Sequence, residues 1–178
     1  MKNRGALYVG LLLIMLGGIF LLAQTTGHML FGIRLGWRLW PLLVLFVGVA
    51  FWLPLAVWWD KRNQIAGLVV PGTIIAGNGL LMLYQSLTGN WASWSYAWAL
   101  EPIFVALGLL CLYWLTQHDQ GLLVAAGIVG GVGLVFFVIF ASAFGGAIRF
   151  VGPLLLIGVG LLILLGSLKG HNKSFPNE

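Results

Sequence analysis

Residues 36–53 read GWRLWPLLVLFVGVAFWL: a charged, tryptophan-rich lead-in, a proline, then an apolar run containing one glycine. Proline is tolerated in the first turn of a helix, where its missing N–H would be unpaired anyway. The stretch therefore reads as the start of an apolar helix. The pattern returns as EPIFVALGLLCLYWL from Glu101 and as GPLLLIGVGLLILLG from Gly152. Each proline-led run follows another apolar run and a loop, so the chain divides into three helical hairpins at 5–59, 65–115 and 121–168. The expected fold is an all-α integral membrane domain covering 1–178, with six transmembrane helices forming three pseudo-repeated hairpins.

Composition points the same way. Of 178 residues, 61% are hydrophobic and 7% charged, and the mean hydropathy is +1.03, whereas a soluble domain carries about 25% charged residues. The six apolar blocks are mostly near the ~20 residues a helix needs to cross a ~30 Å hydrocarbon core. Little polar chain is left over for a soluble catalytic domain. The first block, 5–23, follows Lys2 and Arg4 as a signal peptide would. It is longer than the ~7–15-residue apolar core of such a peptide, so it reads as a retained first helix.

Proline also marks the third block. Pro71-Gly72-Thr73 and Gly77-Asn78-Gly79 are expected near its middle, making it the most easily broken helix. The following 85–97, with Trp91, Trp94 and Tyr96, is expected as a loop along the bilayer interface. The first halves of the hairpins match loosely too, Gly17-Gly18 through Gln24 against Asn78-Gly79 through Gln85.

The net charge of +5 comes from nine Lys and Arg scattered at segment ends. That is the pattern of membrane anchors and not of a nucleic-acid-binding face. With six spans, Lys2, Arg4, Lys61, Arg62, Lys169 and Lys173 share one side, against Arg34, Arg38 and Arg149. Cytoplasmic loops hold the excess of basic residues, so both termini are expected in the cytoplasm, at the inner (plasma) membrane. Most tryptophans lie near span ends, as in an interfacial aromatic belt.

GLLLIMLGGIFLL at 10–22 and WPLLVLFVG at 40–48 resemble the LiaI-LiaF-like transmembrane region of bacterial envelope-stress accessory proteins. The likeness covers the first third of the chain and extends further only through the repeat. It implies a membrane part that accompanies a sensor or regulatory partner.

Four groups of residues are candidates for function. Glu101 precedes Pro102, while Arg38 and Arg149 stand three and four residues ahead of their own prolines. An unpaired charge in lipid is costly, so these three are expected to meet as an interfacial ion pair. Asn78, with Thr73 nearby, is the main mid-membrane polar cluster. It suits an interhelical hydrogen bond worth ~1 kcal/mol better than a broken-helix transport site. Gly127 and Gly131 form a GxxxG pair, fit for close helix packing within the chain or against another subunit. Cys111 is the single cysteine, and His28, His118 and His171 fall in loops or the tail, so neither a metal nor a cofactor is expected. No H-E-x-x-H helix, P-loop or Ser-His-Asp set is present. The expected role is a non-enzymatic accessory subunit, in contact with membrane lipids and with a membrane protein partner or a second copy. The alternative is a small transporter or channel with a polar site near Asn78.

Overall fold

The computed structural model describes residues 3–25, 38–116, 118–145 and 150–171. Among them the chain is helical, without a strand. Six long helices follow one another: α1 (Arg4–Thr25), α2 (Pro41–Val57), α3 (Val69–Thr88), α4 (Glu101–Leu115), α5 (Gln120–Phe144) and α6 (Val151–His171). Short helical turns, Trp59–Lys61, Arg62–Ile65 and Ala66–Leu68, lead into α3, and Trp91–Ser93, Trp94–Ala97 and Trp98–Leu100 lead into α4. Arg4–Leu22, Trp59–Thr88, Trp91–Leu115 and Gln120–Phe144 are long and apolar enough to cross a membrane; Pro41–Val57 and Pro153–Leu162 are apolar but shorter.

The prolines sit where they cost least. Pro41, Pro102 and Pro153 each fall within the first three residues of their helices. Pro71 does too, as the third residue of α3. It therefore does not break a span in its middle, as the sequence suggested. The turns from Trp59 onward lengthen this segment at its start, and α3 runs unbroken through Gly77, Asn78 and Gly79.

The helices form a row in which each packs mainly against its chain neighbours. The α2–α3 and α4–α5 contacts are the most extensive and α3–α4 comes next, while α1 lies on α2 and α6 on α5. The close contacts rest on missing side chains. A methyl group on Gly48 would sit 2.6 Å from the Ala76 backbone nitrogen, and one on Gly79 would sit 2.8 Å from Leu45. On its other side α3 meets α4 in the same way: Gly77 lies against the Phe104 ring and Gly108 against Val70. Gly133 of α5 then packs on Pro102 and Ile103.

Many of the buried positions are small, beside a few larger ones such as Leu55, Val69 and Val138. Ala66, Ala97, Ala99, Ala106, Ala126 and Ala141 are buried, while Leu13, Ile14, Ile128, Leu154 and Leu162 are more than half exposed. Such an apolar exterior suits lipid and would drive aggregation in water.

The connector between α3 and α4 differs from its expected form. Gly89, with φ +72°, ends α3 in the left-handed conformation that favours glycine. Helical structure resumes at Trp91. The expected interfacial loop 85–97 thus shrinks to a tight turn at Gly89 and Asn90. From that turn the pairs Gln85 with Ser93, Asn78 with Glu101, Gly77 with Phe104 and Gly108 with Val70 step down both arms in one antiparallel register. The hydrogen bond from Gln85 Nε2 to Ser93 Oγ, with Ser93 in turn donating to the Asn90 carbonyl, ties the two arms at the turn and lets a Ser- and Trp-containing segment pack as helix.

A second proline explains how α1 is attached. Pro54 lies inside α2 and has no N–H to give the carbonyl four residues back, that of Ala50. The Tyr8 hydroxyl of α1 donates to that carbonyl at 3.2 Å, and the Tyr8 ring lies 5.7 Å from Trp58. Arg4 pairs with Asp60 at the same end.

The packing makes two substitutions informative. Gly48→Ala should lower stability by about 1–3 kcal/mol through overpacking, whereas Gly10→Ala, with open space around it, should be neutral or slightly stabilising; thermal unfolding in detergent compares the two. Tyr8→Phe should cost about 1 kcal/mol in the native chain and nearly nothing in a Pro54→Ala background, where the substituted residue supplies the missing helical donor. Equal costs in both backgrounds would contradict this mode of attachment.

Candidate polar site

The helical register brings together two residues that the sequence placed in different groups. Asn78 Nδ2 donates to Glu101 Oε2 at 3.0 Å and to the Ile74 carbonyl one turn back on its own helix at 3.1 Å. Both side chains are partly buried between α3 and α4. Glu101 stands ten residues after Trp91 and fourteen before Leu115, well inside a continuous apolar helical stretch. At ~1.5 Å per residue, the eleven steps from Asn90 span about 16 Å. Glu101 therefore does not stand at the start of this helical stretch. It lies level with the middle of α3.

The remaining candidates are dispersed. Arg38 donates to the Leu87 carbonyl at 3.2 Å and is not brought to Glu101. Arg149 lies outside the described residues, as do Arg34, His28 and Lys173. Thr73 is absorbed by its own helix, its hydroxyl donating to the Val69 carbonyl at 2.8 Å. Gly127 and Gly131 face outward, and a methyl group added to either would meet nothing within 4 Å, while Gly130 and Gly133 make the contact with α4. The GxxxG pair is thus not used against any described part of this chain.

One polar cluster was missed in the sequence. Gln85 is fully buried at the end of α3; its Nε2 donates to Ser93 Oγ at 3.0 Å, and Ser93 Oγ donates to the Asn90 carbonyl at 2.7 Å. Gln85 Oε1 is buried without a partner among the described residues. The signal was a glutamine eight residues from a serine across a Gly-Asn turn, the separation that two antiparallel helical arms bring face to face.

The loop candidates have structural roles. Asp119 caps α5 by accepting from the Gly121 N–H at 2.9 Å, and His118 is exposed against the Tyr113 and Trp114 rings. Among the described residues, no group of three His, Cys, Asp or Glu side chains gathers to hold a metal. The grooves on α2 and α6 are lined almost wholly by apolar residues, which suits acyl chains better than a polar solute.

No protein-family model, curated protein or solved structure matches the chain.

Ser93→Ala should lower thermal stability by about 1–3 kcal/mol, because it strands the buried Gln85 amide. Adding Gln85→Met should restore part of that loss. A double variant less stable than Ser93→Ala alone would show that Gln85 does not depend on Ser93.

Proposed function

We propose that the chain is a multi-pass protein of the inner (plasma) membrane that acts as a non-enzymatic structural or regulatory accessory subunit, through helix–helix contacts with a membrane partner or a second copy. Its six helices cross the bilayer as three hairpins with both termini in the cytoplasm. The membrane reading draws on the apolar exterior and small-residue interior. The orientation draws on the basic residues, with Arg4, Lys61 and Arg62 gathered at the end where Arg4 meets Asp60. The resemblance of 10–22 and 40–48 to the LiaI-LiaF-like region adds a regulatory setting.

The observation that carries the accessory role is the outward face of α5. Gly127 and Gly131 form a notch there, flanked by exposed Val124, Ile128 and Val135. Small residues at this spacing let a second helix backbone approach closely in lipid, where packing and not hydrophobicity drives association.

A second reading, a small transporter or channel, is favoured by the Asn78–Glu101 pair, since polar groups deep in a membrane bundle mark ion and solute paths.

Extraction from native membranes in mild detergent, followed by measurement of particle mass and composition, tests the proposal. A second polypeptide or a second copy should be present in fixed ratio. Gly127→Ile with Gly131→Ile should weaken that association about tenfold or more, a loss of roughly 1.4 kcal/mol, while the chain's own thermal stability is unchanged. A monomer that carries solute in liposomes, and loses flux without losing protein on Asn78→Leu, would replace the accessory role with transport.

A further inference from the structure

We infer that Asn78 and Glu101 form a binding site for a single small positive charge, a proton or an alkali-metal ion, at the centre of the membrane bundle. The inference rests on the membrane reading above, but not on the accessory role.

Position speaks first. The register from Gln85–Ser93 to Val70–Gly108 sets Glu101 about 16 Å below the Gly89–Asn90 turn, so its carboxylate lies far from either end of the Trp91–Leu115 stretch. The hydrogen bonds add a second constraint. Asn78 spends both N–H groups, one on Ile74 and one on Glu101 Oε2. Asn78 Oδ1 and Glu101 Oε1 keep their lone pairs without a donor among the described residues. A site that offers only oxygen acceptors selects a cation or a proton.

Charge is the third constraint. Neither α3 nor α5, the helices packed on α4, contains a Lys, Arg, His, Asp or Glu. The other titratable groups nearby are weak acids: Tyr84 on α3, Tyr96 ahead of α4, and Cys111 and Tyr113 toward the end of α4. Arg38, the described basic residue that the sequence grouped with Glu101, is engaged with Leu87. An ionised carboxylate in hydrocarbon needs a compensating charge, and among the described residues no basic side chain is brought to it. Helix packing alone does not call for it either, because the side-chain carbonyl of a neutral glutamine in place of Glu101 could also accept from Asn78.

The test uses the whole chain, first shown to resist carbonate extraction from membranes and then reconstituted in lipid nanodiscs. Extraction by carbonate would defeat the membrane reading on which this inference stands. In nanodiscs, thermal unfolding is followed against NaCl, KCl and LiCl, with choline chloride holding ionic strength constant, and separately against pH. Labelling of Glu101 by dicyclohexylcarbodiimide, an apolar reagent that attacks protonated carboxyls from the lipid side, is read by mass spectrometry.

One alkali ion should raise the unfolding temperature saturably, by on the order of 5 °C, and protect Glu101 from the reagent; Glu101→Gln should fold and lose the dependence. If lowering the pH both stabilises the chain and promotes the labelling, with no response to alkali ions, the occupant is the proton. The labelling is made on the native chain, so it decides the matter even where the variant is unstable. A Glu101 that neither dicyclohexylcarbodiimide labels nor alkali ions affect, in a chain whose stability responds to ions and pH as the Glu101→Gln variant does, overturns the inference.

Discussion

Everything in the bundle depends on how closely α3 can approach its two neighbours. In lipid there is no hydrophobic gain from bringing two apolar helices together, because acyl chains are as apolar as leucine. What remains is contact between backbones, dispersion across well-fitted surfaces and a few hydrogen bonds. The chain places Gly48 against Ala76 and Leu45 against Gly79 on one side of α3, and Phe104 against Gly77 and Val70 against Gly108 on the other. With glycine supplied alternately by each partner, both interfaces close. The Asn78–Glu101 contact becomes geometrically possible only because Gly77 lets α4 in beside it.

The extent of contact also differs from one pair of neighbouring helices to the next. Read as hairpins, the chain pairs first with second helix, third with fourth and fifth with sixth. The most extensive contacts instead join α2 to α3 and α4 to α5, across the expected hairpin boundaries. The outer helices α1 and α6 are attached more lightly, α1 by a tyrosine that uses the carbonyl left open by Pro54. The three prolines that suggested a repeat do perform the same local task of opening a helix, yet the glycines after them do not. Gly48 and Gly108 receive α3, while a methyl group on Gly158 or Gly160 would meet nothing within 4 Å among the described residues.

Helix existence was legible because long apolar runs with proline at their heads leave the backbone little else to do. Helix rotation was not. A helix such as α5 is apolar on nearly all sides, so periodicity assigns no buried face, and Gly127 and Gly131 could not be told from Gly130 and Gly133 by spacing. The depth of Glu101 was hidden for a different reason. Tryptophan, serine and asparagine between 90 and 98 resemble an interfacial loop, and only the pairing of Gln85 with Ser93 across the turn reveals that the segment is helix leading into α4. Tyr8 and Ala50 are far apart in the sequence, and nothing in either residue announces the other.

The turn at Gly89 and Asn90 has a consequence of its own. Because both arms leave it as helix with no slack, it acts as a phase setting for the rest of the chain. One inserted residue would turn everything after it by about 100° and shift it by about 1.5 Å. Glu101 would then swing away from Asn78, and Gly108 from Val70, though every residue of both helices were unchanged. Length at this one corner carries as much information about the polar pair as the identities of the two residues that make it.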